Sequence, residues 1–370
     1  MGNHAMKLLH FADLHLDTQF AWAPAALATK RRQALRDTLE NILELAKGEG
    51  VDALLCGGDL YEQERFSPDT AEFLRQSFAA MAPMPVYIAP GNHDYFGPKS
   101  LYATVDWSSN VHLFTEDRLT AVELGDGVNL WGAAHRVPAN TDDFLTNFHV
   151  DRDGVNLALF HGSESGGFTF QGEGKQPYAP FSAAEIPSAG LAHLFTGHYH
   201  QPTDGRHHTY PGNPDPLTFG ETGERGAVLA TVDASGTIRT ERHKVAKSEV
   251  HDLELDLTGC TTFQEIRAKV ATEVLDLKGA ARLTLQGELA PEVDLDMAAL
   301  ADTQCKLDAL LMRQGRLMPG YDLETIKEEV TVRGQFVKDV MDQVEDEALR
   351  QRVLITGLRA LAGRSDLGVG

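Results

Sequence analysis

Five short polar blocks, each directly after an apolar run, carry side chains that could bind metal ions. In chain order they are Asp13-Leu14-His15, Gly58-Asp59, Gly91-Asn92-His93-Asp94, His161 and Gly197-His198-Tyr199-His200. Hard oxygen donors mixed with imidazole nitrogens, without a thiolate, suit divalent first-row ions that activate water against a phosphate. The pattern therefore predicts a two-metal hydrolytic site.

The donors divide between two ions that share one carboxylate. Asp59 has two oxygens and is the predicted bridge between ions about 3.5 to 4 Å apart. The predicted ligands are Asp13, His15, Asp59 and His200 for one ion, and Asp59, Asn92, His161 and His198 for the other. Such ions lower the pKa of bound water, so a nucleophile is available at neutral pH without serine or cysteine.

Each block also has an ordinary structural explanation. An isolated Asp-x-His tripeptide is usually a capping or surface feature, and a histidine that closes an apolar strand is usually satisfied by backbone. The coincidence of all five blocks favours the metal site. Because side chains alternate along a strand, we predict that Asp13 and His15 point to one side, and that His198 and His200 do the same.

The block Gly91-Asn92-His93-Asp94 is the most specific of the five. The Asn92 amide offers a neutral oxygen to a metal, and His93 is the predicted group that protonates a leaving alkoxide. Asp94 is predicted to accept the other ring N–H of His93 and so fix its tautomer. His93 and Asp94 are therefore the candidate catalytic residues.

Alternating strand and helix patterns precede these blocks. Short β-type runs at 6–12, 51–57 and 85–89 each lead into a polar block. Between the first two runs, apolar residues recur at helical spacing until Gly48 and Gly50, and Ser67-Pro68 predicts a helix start before the third. A β-α-β-α-β order gathers site residues at the carboxyl ends of strands. Further strand-like runs are 128–132, 155–160, 194–196, 208–210, 227–232 and 237–242.

The length of 370 residues favours two domains. We predict a first domain over 6–248 and a second over 249–370. In the second, alternation and helical spacing predict a β-α-β module from 251–257, 262–277 and 282–286, followed by mainly helical sequence over 295–362.

Composition limits the partners and the compartment. No apolar run approaches the roughly 20 residues that cross a bilayer, and three cysteines without a CxxC pair fit a reducing cytoplasm. A formal charge of -21 excludes a generic nucleic-acid binder. Local basic spots at Lys30, Arg31, Arg32 and Arg36, or at 206–208 with Arg225, could still contact DNA, although a solvated helix face is the slightly favoured explanation for the first.

The blocks resemble those of calcineurin-like metallophosphoesterases. Over about residues 6–245 the chain most resembles DNA-repair nucleases of the SbcD type, and among these the YhaO-like branch. The resemblance depends on the stretch 10–17 (HFADLHLD), on Gly91 to Asp94, and on 210–214 (YPGNP) followed by 219–221 (FGE). This last stretch is absent from most small phosphatases of the superfamily.

The resemblance implies an α/β fold in which a two-sheet β-sandwich is flanked by helices and followed by a smaller α+β C-terminal capping domain. It implies the same metal ligands, with His93 as the catalytic histidine. It also implies two ions, most often Mn²⁺ with Fe²⁺ or Zn²⁺ as alternatives, a homodimer, and an SMC-like coiled-coil ATPase of the SbcC type as partner. Many such nucleases carry a histidine that engages the scissile phosphate where this chain has Glu62, and a carboxylate there is predicted to repel DNA.

Three functions remain open from the sequence. The first is a two-metal phosphodiesterase that acts on DNA as an exonuclease, an endonuclease or both. The second is a small-molecule phosphodiesterase or phosphatase that uses the same site. The third is a mainly scaffolding subunit of an ATPase complex, with its helical C-terminal region as the docking element.

Overall fold

The computed structural model describes residues 5–139, 141–165, 177–221 and 223–363, and the chain divides into two compact units, Met1–Glu249 and Val250–Gly370. The first unit contains the strands β1 (Met6–Phe11), β2 (Ala53–Cys56), β3 (Val86–Ile88), β4 (Val111–Leu113), β5 (Thr120–Gly125), β6 (Val128–Gly132), β7 (Val155–His161), β8 (His193–Gly197), β9 (Thr203–Asp204), β10 (His208–Tyr210), β11 (Gly226–Val232) and β12 (Ile238–Lys244). Its helices are α1 (Ala25–Glu49), α2 (Pro68–Ala79), α3 (Leu101–Thr104) and α4 (Glu185–Ser188).

Two six-stranded sheets form the first unit in the described ranges. One has the order β12-β11-β1-β2-β3-β4 and the other β5-β6-β7-β8-β10-β9. Strands β1 to β4 run parallel, as do β6, β7, β8 and β10. Leu8 and Leu55 of the first sheet pack in one buried cluster with Leu157 and Phe195 of the second. The sheets therefore face each other, and the predicted α/β sandwich flanked by helices is confirmed.

The two long helices cover the outer face of the first sheet. Leu35, Leu39 and Ile42 of α1 are fully buried against it, and the helix ends at Gly50, which adopts the left-handed conformation that glycine tolerates (φ 59°). Helix α2 begins where predicted, because the Ser67 side chain accepts the Thr70 N–H. The helix ends at Ala79, with Ala80 as its C-cap.

The second unit has its own core and its own sheet. It contains β13 (Val250–Asp256), α5 (Phe263–Val274), β14 (Ala280–Leu289), α6 (Met297–Ala301), β15 (Ala309–Pro319), α7 (Leu323–Lys327), α8 (Val332–Gln343) and α9 (Glu347–Leu361). The predicted β-α-β module is present, with β13 and β14 parallel and α5 started by a Thr262–Glu265 capping box. Among the described residues, none of the helices is both long and apolar enough to cross a membrane.

One prediction for the second unit is wrong. Residues 309–319, expected within a mainly helical region, form the edge strand β15, which runs parallel to β14. The apolar run Leu310-Leu311-Met312 is too short to distinguish a strand from a helix by its period. Its pairing with Ala281, Arg282 and Leu283 is a long-range contact that local spacing does not signal.

Candidate metal centre

The five polar blocks lie at the carboxyl ends of five parallel strands. Strands β1, β2 and β3 are neighbours in the first sheet and precede the blocks of Asp13, Asp59 and Asn92, respectively. Strands β7 and β8 are neighbours in the second sheet, and His161 lies opposite Gly197 in their register. Both sheets therefore deliver polar side chains to one end of the sandwich, as expected for this strand order.

Strand alternation is not what brings Asp13 and His15 together. Strand β1 ends at Phe11, and Asp13 and His15 both adopt positive φ values, 56° and 50°. Their N–H groups donate to the carbonyls of Gly58 and Asp59 at 3.0 and 2.9 Å, so the β2 loop dictates their positions. The prediction from the pleat was therefore wrong in its reason, although both side chains do reach the site.

The second pair departs from the pleat in the same way. Strand β8 ends at Gly197, and His198 follows with a φ of 108°. Its N–H donates to both carboxylate oxygens of Asp13, at 3.0 and 3.2 Å. The loop after β8 in the second sheet is thereby tied to the loop after β1 in the first.

Gly58 is required by close approach as well as by backbone conformation. Its φ is 95°, and a Cβ at this position would lie 2.7 Å from the Gly91 nitrogen and 2.8 Å from His161 Nδ1. Any other side chain would therefore push apart the three loops that carry Asp59, Asn92 and His161.

Asp59 lies between two groups of donor atoms. Its Oδ2 is 3.7 Å from His15 Nε2 and 3.2 Å from His161 Nε2. The donor atoms form three sets, and within each set all atoms lie within 4.8 Å of one another. The sets are Asp13 with His15 and His200, Asp13 with Asp59 and His161, and His15 with Asp59 and His93. This arrangement matches a carboxylate placed to bridge two ions.

The imidazoles of His15 and His200 show that this site suits a cation. His15 Nδ1 donates to Glu62 at 2.8 Å and His200 Nδ1 donates to Glu221 at 2.7 Å, because carboxylates only accept. Each neutral ring then carries its lone pair on Nε2, and these two nitrogens are 3.1 Å apart. Two lone pairs at this separation repel each other unless a cation or a proton lies between them.

A further donor at the site lacks a hydrogen-bond partner. Asn92 Oδ1 is buried without a hydrogen bond in the described residues, whereas the buried His161 Nε2 faces Asp59 Oδ2 at 3.2 Å. Orphaned buried polar atoms are costly in a folded protein and commonly mark an ion or water site. Together with the His15 and His200 geometry, they fit two divalent ions with oxygen and imidazole ligands.

His198 is the predicted ligand that the structure places least directly. Its ring is partly buried next to His161, with centroids 5.2 Å apart, but none of the three donor sets formed by the described residues includes it. Burial lowers its pKa to about 3, so the ring is neutral and has a lone pair to offer.

The two buried carboxylates have different ionisation behaviour. Burial raises the pKa of both, and it dominates for Asp13, whose pKa is raised. For Asp59, the charge and hydrogen bond of His161 and the charge of His15 outweigh burial and hold the pKa well below its usual range. Asp59 is therefore ionised at neutral pH, as a bridging ligand must be.

Asp94 does not have its predicted role. Its oxygens accept the N–H groups of Asp59, Leu60 and Gly91 at 2.6 to 3.0 Å and the Tyr102 hydroxyl at 2.6 Å. Both oxygens are thus used to hold the Asp59 loop, and they do not face the His93 ring. Asp94 is a structural anchor of the bridging residue instead of the partner of His93.

Glu62 is the actual partner of the His93 ring. Its Oε2 lies 3.1 Å from His93 Nδ1, and this hydrogen bond raises the pKa of His93 to about 9. Burial raises the pKa of Glu62, but the hydrogen bonds from His15 and His93 outweigh it and lower the pKa to about 2. The His93 side chain is 46% exposed at the mouth of the site.

Sequence reasoning missed two further residues at this site. Glu221 orients His200, and it was recognised only as part of the stretch 219–221. His135 is fully buried and its Nε2 lies 2.7 Å from the His161 carbonyl oxygen, with the two rings 5.6 Å apart. His135 follows the apolar strand β6, which is the same signal that identified His161 after β7.

Two arginines of the predicted basic spots are buried inside the fold. Arg31 is buried, and its guanidinium donates to Asp215 and to the Pro216 carbonyl. Arg225 is buried as well, and it donates to the carbonyls of His200 and Glu221. These two arginines therefore hold backbone and carboxylate groups within the fold, whereas Lys30 and Arg206 of the same spots are exposed.

Mn²⁺ is expected to stabilise the chain against thermal unfolding. An ion that binds only the folded state at 100 times its Kd adds about 2.7 kcal/mol, or about 5 to 10 °C for a unit of this size. Differential scanning calorimetry measures this shift, and a chelator should reverse it. Ca²⁺ at equal concentration is the control, because it prefers all-oxygen ligands. Equal shifts with both ions, or none with Mn²⁺, would contradict the predicted site.

Comparisons with known proteins place the chain among phosphoesterases. Residues 6–202 match the calcineurin-like phosphoesterase family. The chain is 26% identical over 306 residues to the uncharacterized metallophosphoesterase YhaO of Bacillus subtilis. This alignment covers 78% of this chain and 73% of YhaO. It is 25% identical over 297 residues to the DNA double-strand break repair protein Mre11 of Methanopyrus kandleri. That alignment covers 72% of this chain and 62% of the Mre11 chain.

A solved structure, TT1561 of Thermus thermophilus, aligns with 65% of this chain and 99% of its own, at 14% identity and a TM-score of 0.39. The family match extends over more than half of the chain and contains every predicted metal ligand. Divalent metal ions and phosphoester hydrolysis are properties of that family. The chain belongs to the calcineurin-like phosphoesterases.

Proposed function

We propose that this chain is a two-metal phosphodiesterase that cleaves DNA in repair, on the SbcD-type branch of its family. The observation that carries the proposal is the position of Asp59 Oδ2, 3.7 Å from His15 Nε2 and 3.2 Å from His161 Nε2. Sequence similarity to Mre11, a protein named for double-strand break repair, supports DNA as the substrate.

The chain's residues divide into two ligand sets around Asp59. In the proposed division, Asp13, His15 and His200 complete the first set, and these three offer donor atoms within 4.8 Å of one another. Asn92, His161 and His198 complete the proposed second set. When bound, the two ions supply Lewis-acid activation of water and of the phosphate. We propose Mn²⁺ as the native metal, with Fe²⁺ and Zn²⁺ as alternatives, since all three accept this mixture of oxygen and imidazole donors.

His93 is the proposed general acid for the leaving oxygen. Its Nδ1 is held by Glu62, so its Nε2 is the atom that can deliver a proton outward. Its 46% exposed side chain can reach a strand laid across the mouth of the site. Protonation of the leaving 3′ oxygen is the step that this placement favours.

DNA binding by the isolated chain is proposed to be weak and salt-sensitive. A net charge of -21 opposes a polyanion, and Arg31 and Arg225 are occupied within the fold. A partner would then supply the remaining affinity. We propose a coiled-coil SMC-like ATPase of the SbcC type in the cytoplasm, with the chain as a homodimer.

One observation favours a second candidate, a small-molecule phosphoesterase. A cavity of about 330 Å³ adjoins His93 and is lined by Glu62, Glu64, Arg65, Tyr95 and Tyr178, among others. The exposed Glu64 carboxylate in its wall disfavours a polyanionic strand, and two tyrosines offer flat surfaces for a base. A nucleotide with one phosphodiester fits this chemistry better than duplex DNA does.

A panel of substrates with Mn²⁺ distinguishes these functions. Plasmid, single-stranded and duplex oligonucleotides, a cyclic nucleotide and p-nitrophenyl phosphate are assayed in parallel, each with and without chelator. The proposal expects chelator-sensitive cleavage of DNA well above that of the small esters. Cleavage of small esters alone supports the second candidate, and metal binding without any hydrolysis supports a scaffolding subunit.

A further inference from the structure

We propose that Glu62 is a positioning residue that sets the orientation of a metal ligand and of the catalytic histidine at the same time. Its Oε1 lies 2.8 Å from His15 Nδ1 and its Oε2 lies 3.1 Å from His93 Nδ1. The two rings are 4.8 Å apart and nearly perpendicular, with one carboxylate serving both. This inference rests on the proposed function and deepens it.

The backbone around Glu62 fixes where its carboxylate lies. The Glu62 N–H donates to the Leu16 carbonyl at 3.0 Å, and the Gln63 N–H donates to the His93 carbonyl at 3.0 Å. The residue is therefore tied to the β1 loop on one side and to the β3 loop on the other. The Glu62 side chain is only 21% exposed, which leaves it little freedom to move.

Each carboxylate oxygen determines one tautomer. A carboxylate accepts but does not donate, so both Nδ1 atoms must carry a proton. Nε2 of His15 then presents its lone pair toward Asp59 and His200, where a ligand nitrogen is needed. Carboxylates that orient metal-binding histidines in this way commonly change metal affinity or activity by about 10- to 100-fold when removed.

The two hydrogen bonds of Glu62 also change its expected effect on DNA binding. A lone carboxylate was predicted to repel DNA, but both Glu62 oxygens are occupied by imidazole N–H groups. The negative charge is thus engaged by two ring N–H groups. Glu72 is the comparison, because it is an exposed glutamate on α2 that does not line this cavity.

Three alanine variants separate the roles of nearby carboxylates. In Glu62→Ala we expect Mn²⁺ affinity, measured by titration calorimetry, and kcat on a phosphodiester each to fall by about 10- to 100-fold, with KM unchanged. Glu221→Ala should lower Mn²⁺ affinity through His200 and affect kcat at saturating metal far less. Glu72→Ala should leave both quantities at the wild-type level.

A spectroscopic measurement tests the tautomers directly. Ring ¹⁵N shifts of the full chain loaded with diamagnetic Zn²⁺ should show Nδ1–H on His15 and His93. Glu62→Gln has one acceptor oxygen and one donor nitrogen, so at least one Nδ1–H should lose its acceptor and the ¹⁵N shifts of that ring should change. Both rings unchanged in Glu62→Gln, or either affinity or kcat unchanged in Glu62→Ala, would overturn the inference.

The two proposals fail in distinguishable ways. If the wild-type chain hydrolyses no phosphodiester, the proposed function fails, whereas Mn²⁺ affinity and ring shifts still report on Glu62. If the wild-type chain is active and Glu62→Ala resembles Glu72→Ala, the proposed function stands and the role of Glu62 is overturned.

Discussion

Asp59→Asn is expected to lose one of two bound ions and nearly all hydrolysis while the chain stays folded. An asparagine has the same shape but only one uncharged oxygen, so it cannot bridge the His15 and His161 sides of the site. Lewis-acid stabilisation by a metal amounts to several kcal/mol, and each 1.4 kcal/mol is tenfold in rate, so kcat/KM should fall by about 10³-fold or more. Inductively coupled plasma mass spectrometry and a phosphodiester assay measure the two quantities.

The control for this variant is Asp117→Asn, which makes the same chemical change at an exposed position. It should bind two ions and retain wild-type turnover. Circular dichroism of both metal-free variants checks the fold, because the Asp59 side chain also accepts the His93 N–H at 2.8 Å. Two ions bound with wild-type affinity in folded Asp59→Asn would refute the bridging role.

The sequence predicted which side chains lie near one another because the order of the parallel strands largely determines this. Asp13, Asp59 and Asn92 each follow a strand of one parallel sheet, and His161 follows a strand of the other. An apolar run followed by a polar block is a local signal, and parallel strands place their carboxyl ends at a common edge. Local pattern and topology together therefore identified the side chains that the structure brings to this edge.

What the sequence could not predict are the contacts between loops. The positive φ values of Asp13 and His15 depend on hydrogen bonds to the β2 loop, which is distant along the chain. Contacts between loops also explain why Glu62, and not Asp94, is hydrogen-bonded to the His93 ring. Asp94 is adjacent to His93 in sequence, but its oxygens are drawn to three backbone N–H groups, and a glutamate from another loop takes its predicted place.

The edge strand β15 shows the same limit in the second unit. The four residues from Arg313 to Arg316 in the middle of the strand are all exposed. The alternation that marks a half-buried strand is therefore missing there. The strand exists because its backbone pairs with β14. Propensity and period describe single segments, whereas an edge strand is defined by its neighbour.

His93→Ala should keep both metal ions and lose turnover, with a loss that depends on the leaving group. General acid catalysis contributes about 10²- to 10⁴-fold, so kcat on a DNA phosphodiester should fall within that range. p-Nitrophenolate leaves without needing a proton, so kcat on bis(p-nitrophenyl) phosphate should fall far less. Steady-state kinetics on both substrates, with metal content measured on the same samples, provide the comparison.

The leaving-group comparison separates two roles that the geometry allows for His93. Its ring belongs to one set of donor atoms with His15 and Asp59, so it could also act as a ligand. Loss of a ligand would lower metal content and slow both substrates equally, whereas loss of the general acid slows only the alkoxide. The exposed His149→Gln is the control for losing an imidazole elsewhere and should match the wild type. Equal losses on both substrates would assign His93 to the metal instead of the proton.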